Sequence, residues 1–169
     1  MTDGREGATR DIAIRPAALE DLDALVDIYL SSADHHVSLD PDYYRVPDRA
    51  GAIERLRGIL EDEGRTWGYL AAAVDGRIVG SVSIALLSPP TAGSMMAPVP
   101  TAEIGIAVLE DARDAGIGTA MMAAAEAWAV ERGIRAIILD MSVRNTAAQR
   151  FYERLGYATN GLYLRKTIG

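Results

Sequence analysis

The sequence predicts a single α/β domain, built from one mixed sheet with helices on both of its faces. Strand and helix patterns follow one another in the order strand, helix, helix, three strands, helix, strand, helix, strand. The dipeptide Asp75-Gly76 separates two strand-like segments, which indicates a β-hairpin. A helix then connects the strands predicted at 102–108 and 136–143. Such a crossover makes two neighbouring strands parallel, so the sheet is expected to be mixed.

The first strand and the first two helices follow from the spacing of apolar residues. Residues 11–15 alternate in polarity, whereas the apolar residues between 22 and 29 recur at helical spacing. Residues 33–47 interrupt that period and are interpreted as a long loop. Asp48 suits the N-cap of a second helix, which we expect to end near Gly64.

The hairpin and the elements after it follow from turn residues and alternation. The hairpin arms occupy 67–74 and 77–87, and residues 88–100 hold four prolines and no charge, as is typical of a loop. Thr146 and Gln149 have the spacing of a capping box. The remaining elements are a strand at 102–108, a helix from Gly116 to Arg132 closed by Gly133, a strand at 136–143, a helix from Thr146 to Gly156, and one or two closing strands within 157–168.

Composition limits the class of protein. The chain has 169 residues, of which 49% are hydrophobic and 24% charged, so we expect a globular domain over 11–169 and a flexible tail over 1–10. It has no cysteine, which excludes a disulfide framework and a thiolate metal site. A net charge of −7 argues against a nucleic-acid partner. No apolar run approaches the roughly 18 residues of a membrane span, so we expect no membrane partner and a cytoplasmic location.

One local signal lies between a predicted strand and an alanine-rich helix. It consists of Arg113, Asp114, Ala115, Gly116, Ile117, Gly118 and Thr119. A helix N-terminus offers unpaired amides and partial positive charge, and glycines let the backbone approach an anion closely. Arg113 adds a cation, so the segment, called the glycine turn below, predicts a pyrophosphate site. Two glycines at such a turn also serve ordinary packing, and the motif alone leaves both interpretations open.

A second and more specific pattern covers the last predicted helix. It consists of Asn145, Ala148, Phe151, Tyr152, Gly156 and Tyr157. Phe151 and Leu155 are four residues apart and fit the core face of an amphipathic helix. Tyr152 fits that role less well, because a buried hydroxyl needs a partner.

Together the two patterns resemble the GNAT N-acetyltransferase family. The family carries Q/R-x-x-G-x-G/A at the turn and N-x-x-A-x-x-F-Y-x-x-x-G-[FY] at the last helix. The resemblance follows the element order over 11–168 and is sharp over 102–157. It implies a mixed, mostly antiparallel sheet with a parallel, splayed central strand pair. Asp114 and Ala115 depart from the family pattern, in which many members have glycine or a basic residue.

The resemblance also implies how a coenzyme would be held. Acetyl-CoA would be the acyl donor, with its pyrophosphate at the glycine turn and no metal involved. Backbone groups of Ile106 and Val108 would hold the pantetheine arm. Asn145 would bond the same arm, beside Ala148. Tyr152 would protonate the coenzyme A thiolate as it leaves, which is general acid catalysis.

The general base is less defined by the sequence. Several family members keep a glutamate at the position of Glu103, yet Glu103 shares strand parity with Gly105 rather than with Val108. A β-bulge in this strand would reconcile the two. His35 and His36 are the alternatives, because histidine titrates near neutrality. Two adjacent histidines have no ligand spacing, so no metal site is predicted.

The acceptor is expected to be a primary amine of a small molecule or peptide. The polar residues of the 33–47 segment would contact it, namely His35, His36, Asp40, Asp42 and Tyr43. A solvated surface loop without a ligand is the alternative interpretation of the same residues. An acyltransferase that uses a longer acyl-CoA and a non-catalytic acyl-CoA sensor are the alternative interpretations. A homodimer is left open.

Overall fold

The computed structural model describes residues 11–62, 65–166 and 168, so the tail expected at 1–10 and the helix end expected near Gly64 lie outside the described residues. The elements are β1 (Ile12–Pro16), α1 (Leu22–Leu39), α2 (Arg49–Leu60), β2 (Trp67–Val74), β3 (Arg77–Leu86), β4 (Thr101–Val108), α3 (Ile117–Glu131), β5 (Ala136–Ile138) and α4 (Thr146–Arg154). The strands form one sheet in the order β1-β2-β3-β4-β5. All neighbours are antiparallel except β4 and β5, which are parallel. The mixed α/β architecture is therefore confirmed.

Helices cover both faces of the sheet, and each face has its own core. Met121 and Met122 of α3 pack with Val82 and Ile84 of β3 on one face. Leu25, Val26 and Leu56 of α1 and α2 pack with Ala71 of β2 on the other. Alternate residues of a strand therefore face different helices, as the two-residue period of a strand requires. The register shift at Ala72–Ala73 inverts this alternation in β3, where Val79 packs on the α3 side and Ile78 on the other.

Local turn and cap chemistry explains several element boundaries. Asp75 and Gly76 have φ of 51° and 81°, the left-handed pair of a tight hairpin turn, so the predicted hairpin is confirmed. Asp48 caps α2, since its Oδ1 accepts from the amide of Gly51 at 2.9 Å. Gly133 ends the α3 segment with φ 74°, as predicted.

The loop predicted at 33–47 is wrong over its first half, because α1 continues without a break to Leu39. The amide of Asp40 still donates to the carbonyl of His36, at 3.0 Å. The apolar period fades within this helix because its last turns border a polar cavity rather than the core. A helix turn with no apolar neighbour needs no apolar stripe, and the periodicity rule then misses it.

Three further boundaries differ from the prediction. β5 ends at Ile138 instead of Val143, because a turn follows in which the amide of Asn145 donates to Ser142 O at 2.9 Å. The N-cap of α4 is Asn145 rather than Thr146, since the Asn145 Oδ1 accepts from the amide of Ala148 at 3.1 Å. The closing strands expected in 157–168 are absent from the described part of that segment, where Arg165 instead donates to the carbonyl of Asp42 at 3.2 Å.

Within the described ranges, no helix combines the length and the apolar character needed to cross a membrane. The same residues contain no group of three or more histidine, cysteine, aspartate or glutamate side chains arranged to hold a metal ion.

Candidate active site

The parallel strands β4 and β5 separate after three paired positions. Thr101 pairs with Ala136, and the last pair joins Glu103 to Ile138. β4 then runs on to Val108 while β5 has ended, so the backbone of β4 is unpaired on this side. Because hydrogen-bonding groups of a strand need partners, this stretch is suited to bind an extended ligand.

A cavity of about 720 Å³ occupies the region where the two strands separate. It is bordered by α1, β2, β3, β4, the glycine turn, the start of α3, the segment after β5, and α4. Of the predicted site residues it brings together His35, His36, Ile106, Val108, Arg113, Asp114, Gly116, Ile117, Gly118, Thr119, Asn145, Ala148 and Tyr152. Glu103, Asp40, Asp42, Tyr43 and Ala115 are not among its lining residues.

The glycine turn presents the N-terminus of α3 to this cavity. Gly116 is the N-cap, with φ 77°, and the first backbone bond into the helix runs from the amide of Ala120 to Gly116 O at 3.0 Å. Ile117, Gly118 and Thr119 therefore supply the amides that a helix start leaves without an intrahelical acceptor. Such amides, at the positive end of the helix dipole, are suited to hold an anion.

Arg113 is held against the end of β4. Its Nε donates to the carbonyl of Val108 at 3.2 Å, which leaves the two terminal guanidinium nitrogens for another ligand. Asp114 follows with φ 61°, a left-handed conformation that is uncommon for a residue other than glycine. The turn thus combines one cation, one anion and a row of backbone donors.

The two glycines of the turn have different structural reasons. A Cβ on Gly116 would meet nothing within 4 Å, so its positive φ is what requires glycine. A Cβ on Gly118 would lie 3.2 Å from Cζ of Phe151, so its missing side chain lets α4 pack closely on α3. Gly118 therefore serves packing, which is one of the two interpretations of the motif, and its contact with a pyrophosphate stays a prediction.

Tyr152 lies half-buried on α4, between the rings of Phe151 at 5.2 Å and Tyr157 at 5.9 Å between centroids. Burial raises its pKa, so the phenol keeps its proton at neutral pH. The Tyr152 hydroxyl forms no hydrogen bond with any described residue. Every fully buried side-chain oxygen or nitrogen in the described part of the chain has a hydrogen-bond partner, so this hydroxyl is not fully buried. The Tyr152 hydroxyl is therefore accessible from the cavity and has a proton to give.

Tyr157, five residues further on, has a different environment. Its hydroxyl donates to Glu126 Oε1 at 2.9 Å and so joins the end of α4 to α3. Burial and the Glu126 carboxylate raise the pKa of Tyr157 far above its ordinary value. Its proton is committed to Glu126, which leaves Tyr152 as the tyrosine of this pair that is suited to acid catalysis.

His35 and His36 lie on α1 rather than in a loop. His36 Nδ1 is 2.7 Å from Ser32 O, and its ring packs 5.0 Å from that of Tyr44. Burial lowers the pKa of His35, and the positive charge of Arg113 lowers it further. His35 is therefore uncharged at neutral pH and lies toward the glycine turn.

The remaining predicted residues lie around the cavity. Glu103 is exposed, on the same face of β4 as Gly105, and the β3–β4 register is continuous from Leu86–Ala102 to Gly80–Val108. The bulge that would have realigned Glu103 with Val108 is thus absent from β4, and the register shift of the sheet lies instead at Ala72–Ala73 of β2. The catalytic role of Glu103 stays a prediction.

Asp40, Asp42 and Tyr43 follow the end of α1 and contact arginines. Asp40 Oδ2 lies 3.9 Å from Nη1 of Arg144, and the guanidinium of Arg165 lies 4.9 Å from the centroid of the Tyr43 ring. These contacts join the end of α1 to the segment after β5 and to the C-terminal segment. Contact of these three residues with an acceptor stays a prediction.

Sequence reasoning missed a set of hydroxyl-bearing residues in the cavity. Tyr69 of β2, together with Ser81 and Ser83 of β3, lies on the face that α1 covers. The signal was present, because Ser81 and Ser83 interrupt the apolar run of a strand whose neighbours Val82 and Ile84 are fully buried. A strand covered on both faces normally carries apolar residues throughout.

The profile described as the Acetyltransferase (GNAT) family matches residues 24–157. Over 112 residues the chain is 31% identical to "Aminoglycoside N(6')-acetyltransferase type 1" of Stenotrophomonas maltophilia, a match that covers 66% of this chain and 71% of that protein.

Solved structures of low sequence identity have the same fold. A tetramutant of the BH1408 protein from Bacillus halodurans superposes with a TM-score of 0.83 at 23% identity, covering 92% of this chain and 99% of the other. The aminoglycoside N-acetyltransferase AAC(6')-Iy in complex with CoA gives a TM-score of 0.68 at 22% identity, with coverage of 94% and 97%. With a profile match over most of its length, the chain belongs to the GNAT acetyltransferase family.

Proposed function

We propose that this protein is an acetyl-CoA-dependent N-acetyltransferase that acts on a primary amine of a small molecule or peptide. The observation that carries the proposal is the convergence of an anion-binding turn and a protonated tyrosine on one cavity. Arg113 and the amides of Ile117 to Thr119 border it at one end of β4, and Tyr152 borders it from α4.

The residues of the glycine turn suit the pyrophosphate of coenzyme A. Backbone amides supply donors without a side chain in the way, and Arg113 supplies positive charge. The unpaired edge of β4 at Ile106 and Val108 offers backbone groups to the pantetheine amides, and the Asn145 side-chain nitrogen adds a donor. Asp114 opposes this binding electrostatically, because its carboxylate lies in the same turn.

Acetyl transfer requires two proton movements. An alkyl ammonium has a pKa of about 10, so a base must remove a proton before the nitrogen attacks the thioester carbonyl. We assign that step to Glu103, acting through water, because it lies where β4 and β5 separate. When the carbon–sulfur bond breaks, the Tyr152 hydroxyl gives its proton to the thiolate, and the products are the acetamide and free coenzyme A.

Aminoglycosides are the first acceptors to try, because the 31% identical relative carries that activity in its name. They are polycationic amines, and the net charge of −7 favours the approach of cations. The acceptor pocket lies between α1 and β2–β4, where His35 and His36 border it.

Release of thiol from acetyl-CoA, followed with a thiol reagent across a panel of primary amines, tests the proposal. We expect amine-dependent release and an acetylated product of matching mass. Faster turnover with a longer acyl-CoA would favour the alternative donor. Tight acetyl-CoA binding without turnover of any amine would contradict the proposal and favour a sensor.

We further propose that the protein works in the cytoplasm as a homodimer. The acidic, cysteine-free sequence supports the location. The exposed apolar side chains of Leu162, Tyr163 and Leu164, each 79–88% accessible, support self-association. Sedimentation equilibrium should give twice the 18.1 kDa of the chain, whereas a monomer at every concentration would contradict a dimer.

A further inference from the structure

The cavity contains a strip of neutral hydrogen-bonding groups that the transfer reaction itself does not use. Tyr69, Ser83 and Gly105 occupy one row across β2, β3 and β4, since Tyr69 pairs with Ser83 and Ser83 pairs with Gly105. Ser81 lies in the next row on the same face, and all four residues line the cavity. The hydroxyl strip, as these four residues are called below, reaches from beneath α1 to the strand beside which the donor would lie.

The groups of the strip are only weakly bonded to one another. The Tyr69 hydroxyl donates to Ser81 Oγ at 3.4 Å, and Ser83 Oγ donates to the carbonyl of Gly105 at 3.3 Å. Hydroxyl hydrogen bonds in proteins are usually about 2.7–2.8 Å long. Both contacts are therefore long, and each hydroxyl retains most of its capacity to bond a ligand. Ser81 is only 4% exposed, so water has little access to replace the hydrogen bonds that its hydroxyl does not form within the protein.

The strip carries no charged side chain. Burial raises the pKa of Tyr69, so its phenol is neutral at physiological pH and cannot serve as an anion for an ammonium group. An apolar ligand would cover the hydroxyls without bonding them, which is unfavourable for buried polar groups. Neutral donors and acceptors in a row match neutral hydroxyls on the ligand.

Gly105 leaves space in front of these hydroxyls. A Cβ at this position would lie 3.1 Å from Ser83 Oγ, closer than ordinary contacts allow. The missing side chain therefore lets a bulky ligand approach Ser83 and the edge of β4 together.

We propose that the hydroxyl strip is a specificity subsite for an amine whose neighbouring carbon atoms carry hydroxyl groups, such as an amino sugar or amino polyol. This inference rests on the proposed N-acetyltransferase activity. Ser83 and Tyr69 bond the ligand hydroxyls, while the amine points toward β4 and the thioester. A plain alkylamine of the same size leaves the strip unpaired and is a poorer substrate.

Two acceptors of the same ring size test the subsite. One is a methyl hexopyranoside whose terminal carbon carries the amine, and the other is cyclohexylmethylamine, which has no hydroxyl. We expect wild-type protein to show at least roughly tenfold higher kcat/KM for the sugar, the factor expected from one or two well-made hydrogen bonds. Ser83→Ala combined with Tyr69→Phe should remove most of that preference, and Gly105→Ala should raise KM for the sugar.

Ser88→Ala is the matched control, because Ser88 is exposed in the loop after β3 and lies outside the cavity. It should keep the wild-type preference. Acetyl-CoA affinity, measured by calorimetry, should be unchanged in every variant and shows that each one folds. A wild-type preference for cyclohexylmethylamine, or a preference for the sugar that survives the double substitution, would overturn the subsite.

Binding of the amino sugar to the CoA-loaded protein separates this inference from the proposed function. If no amine is acetylated but the sugar binds in a Ser83-dependent manner, the proposed activity fails and the subsite stands. If amines are acetylated without regard to hydroxyl groups, the activity stands and the subsite fails. If the sugar is neither acetylated nor bound, the subsite is overturned.

Discussion

Glu103 pairs with Ile138 at the last position of the parallel β4–β5 ladder. Beyond this pair the two strands no longer share hydrogen bonds, and the cavity of about 720 Å³ begins. The polar edge of β4, the glycine turn and Tyr152 all border that cavity. A short β5 thus creates the site, because a longer one would satisfy the backbone of β4 and close the cavity.

The glycine turn is tested by a charge placed at Gly116. Gly116→Glu should weaken acetyl-CoA binding at least roughly tenfold by calorimetry, since a carboxylate there repels the pyrophosphate and competes for the α3 amides. Gly76→Glu is a matched control, because both glycines have positive φ, 77° and 81°, and both have open space around the Cβ position. Backbone strain is therefore similar in the two variants. If the two folded variants bound acetyl-CoA with equal affinity, the glycine turn would not be part of the donor site.

Gly118 should be sensitive to size for a structural reason. Gly118→Ala brings a Cβ to 3.2 Å from the Phe151 ring and should lower the free energy of unfolding by about 1–3 kcal/mol, as overpacking does. A Cβ at Gly58 in α2 would meet nothing within 4 Å, so Gly58→Ala should raise the free energy of unfolding by about 0.5–1 kcal/mol. Denaturant titrations of both variants measure the difference. A neutral Gly118→Ala would mean that α4 shifts away from α3 at no cost.

His35 predicts a pH dependence of stability. Its pKa is lowered in the folded state by burial and by Arg113, so the unfolded chain binds this proton more readily. The contribution of neutral His35 to the free energy of unfolding is therefore present above the ordinary histidine pKa of 6.5. It is lost as the pH falls below that value. We expect His35→Gln to reduce the loss of unfolding free energy between about pH 7.5 and 5.5. His36→Gln is the comparison, and equal pH slopes for wild type and His35→Gln would contradict the prediction.

Glu103 should affect the amine step and leave the donor step unchanged. Glu103→Gln removes the proposed base and should lower kcat/KM for the amine by roughly 100-fold, the lower end of the range for general base catalysis. Glu131→Gln, at the exposed end of α3, is the matched control. If the Glu103→Gln variant kept the wild-type kcat/KM, Glu103 would not be the base. His35 would then be the next residue to replace.

Much of the fold could be predicted because its signals are local. The Asp75-Gly76 turn, the Asp48 cap and the Gly133 terminus each depend on one or two residues whose chemistry is specific. The end of α1 could not be predicted in this way. Ser31, Ser32, His35 and His36 face the cavity, and a hydrophobic period reports only contact with a core.

The candidate site also contains residues that the sequence predicts and residues that it does not. The glycine turn and Tyr152 belong to short motifs that the sequence reveals, and both border one cavity in the structure. Tyr69 and Ser81 lie on the two arms of one hairpin and Gly105 on the next strand, and the register of the sheet determines that they meet. The sequence pattern overestimates the length of β5, because the apolar residues after Ile138 continue a strand-like alternation although their backbone does not pair with β4.

The assignment of Tyr152 as proton donor to the leaving thiolate is tested most directly by Tyr152→Phe. The substitution keeps the ring that packs against Phe151 and Tyr157 and removes only the hydroxyl. With an amine that wild-type protein acetylates, we expect kcat to fall by roughly 10- to 1000-fold. The dissociation constant of acetyl-CoA should change by less than about threefold, since the hydroxyl acts in the transition state rather than in binding. A Tyr152→Phe protein with wild-type kcat would contradict the assignment and leave Tyr152 as a packing residue.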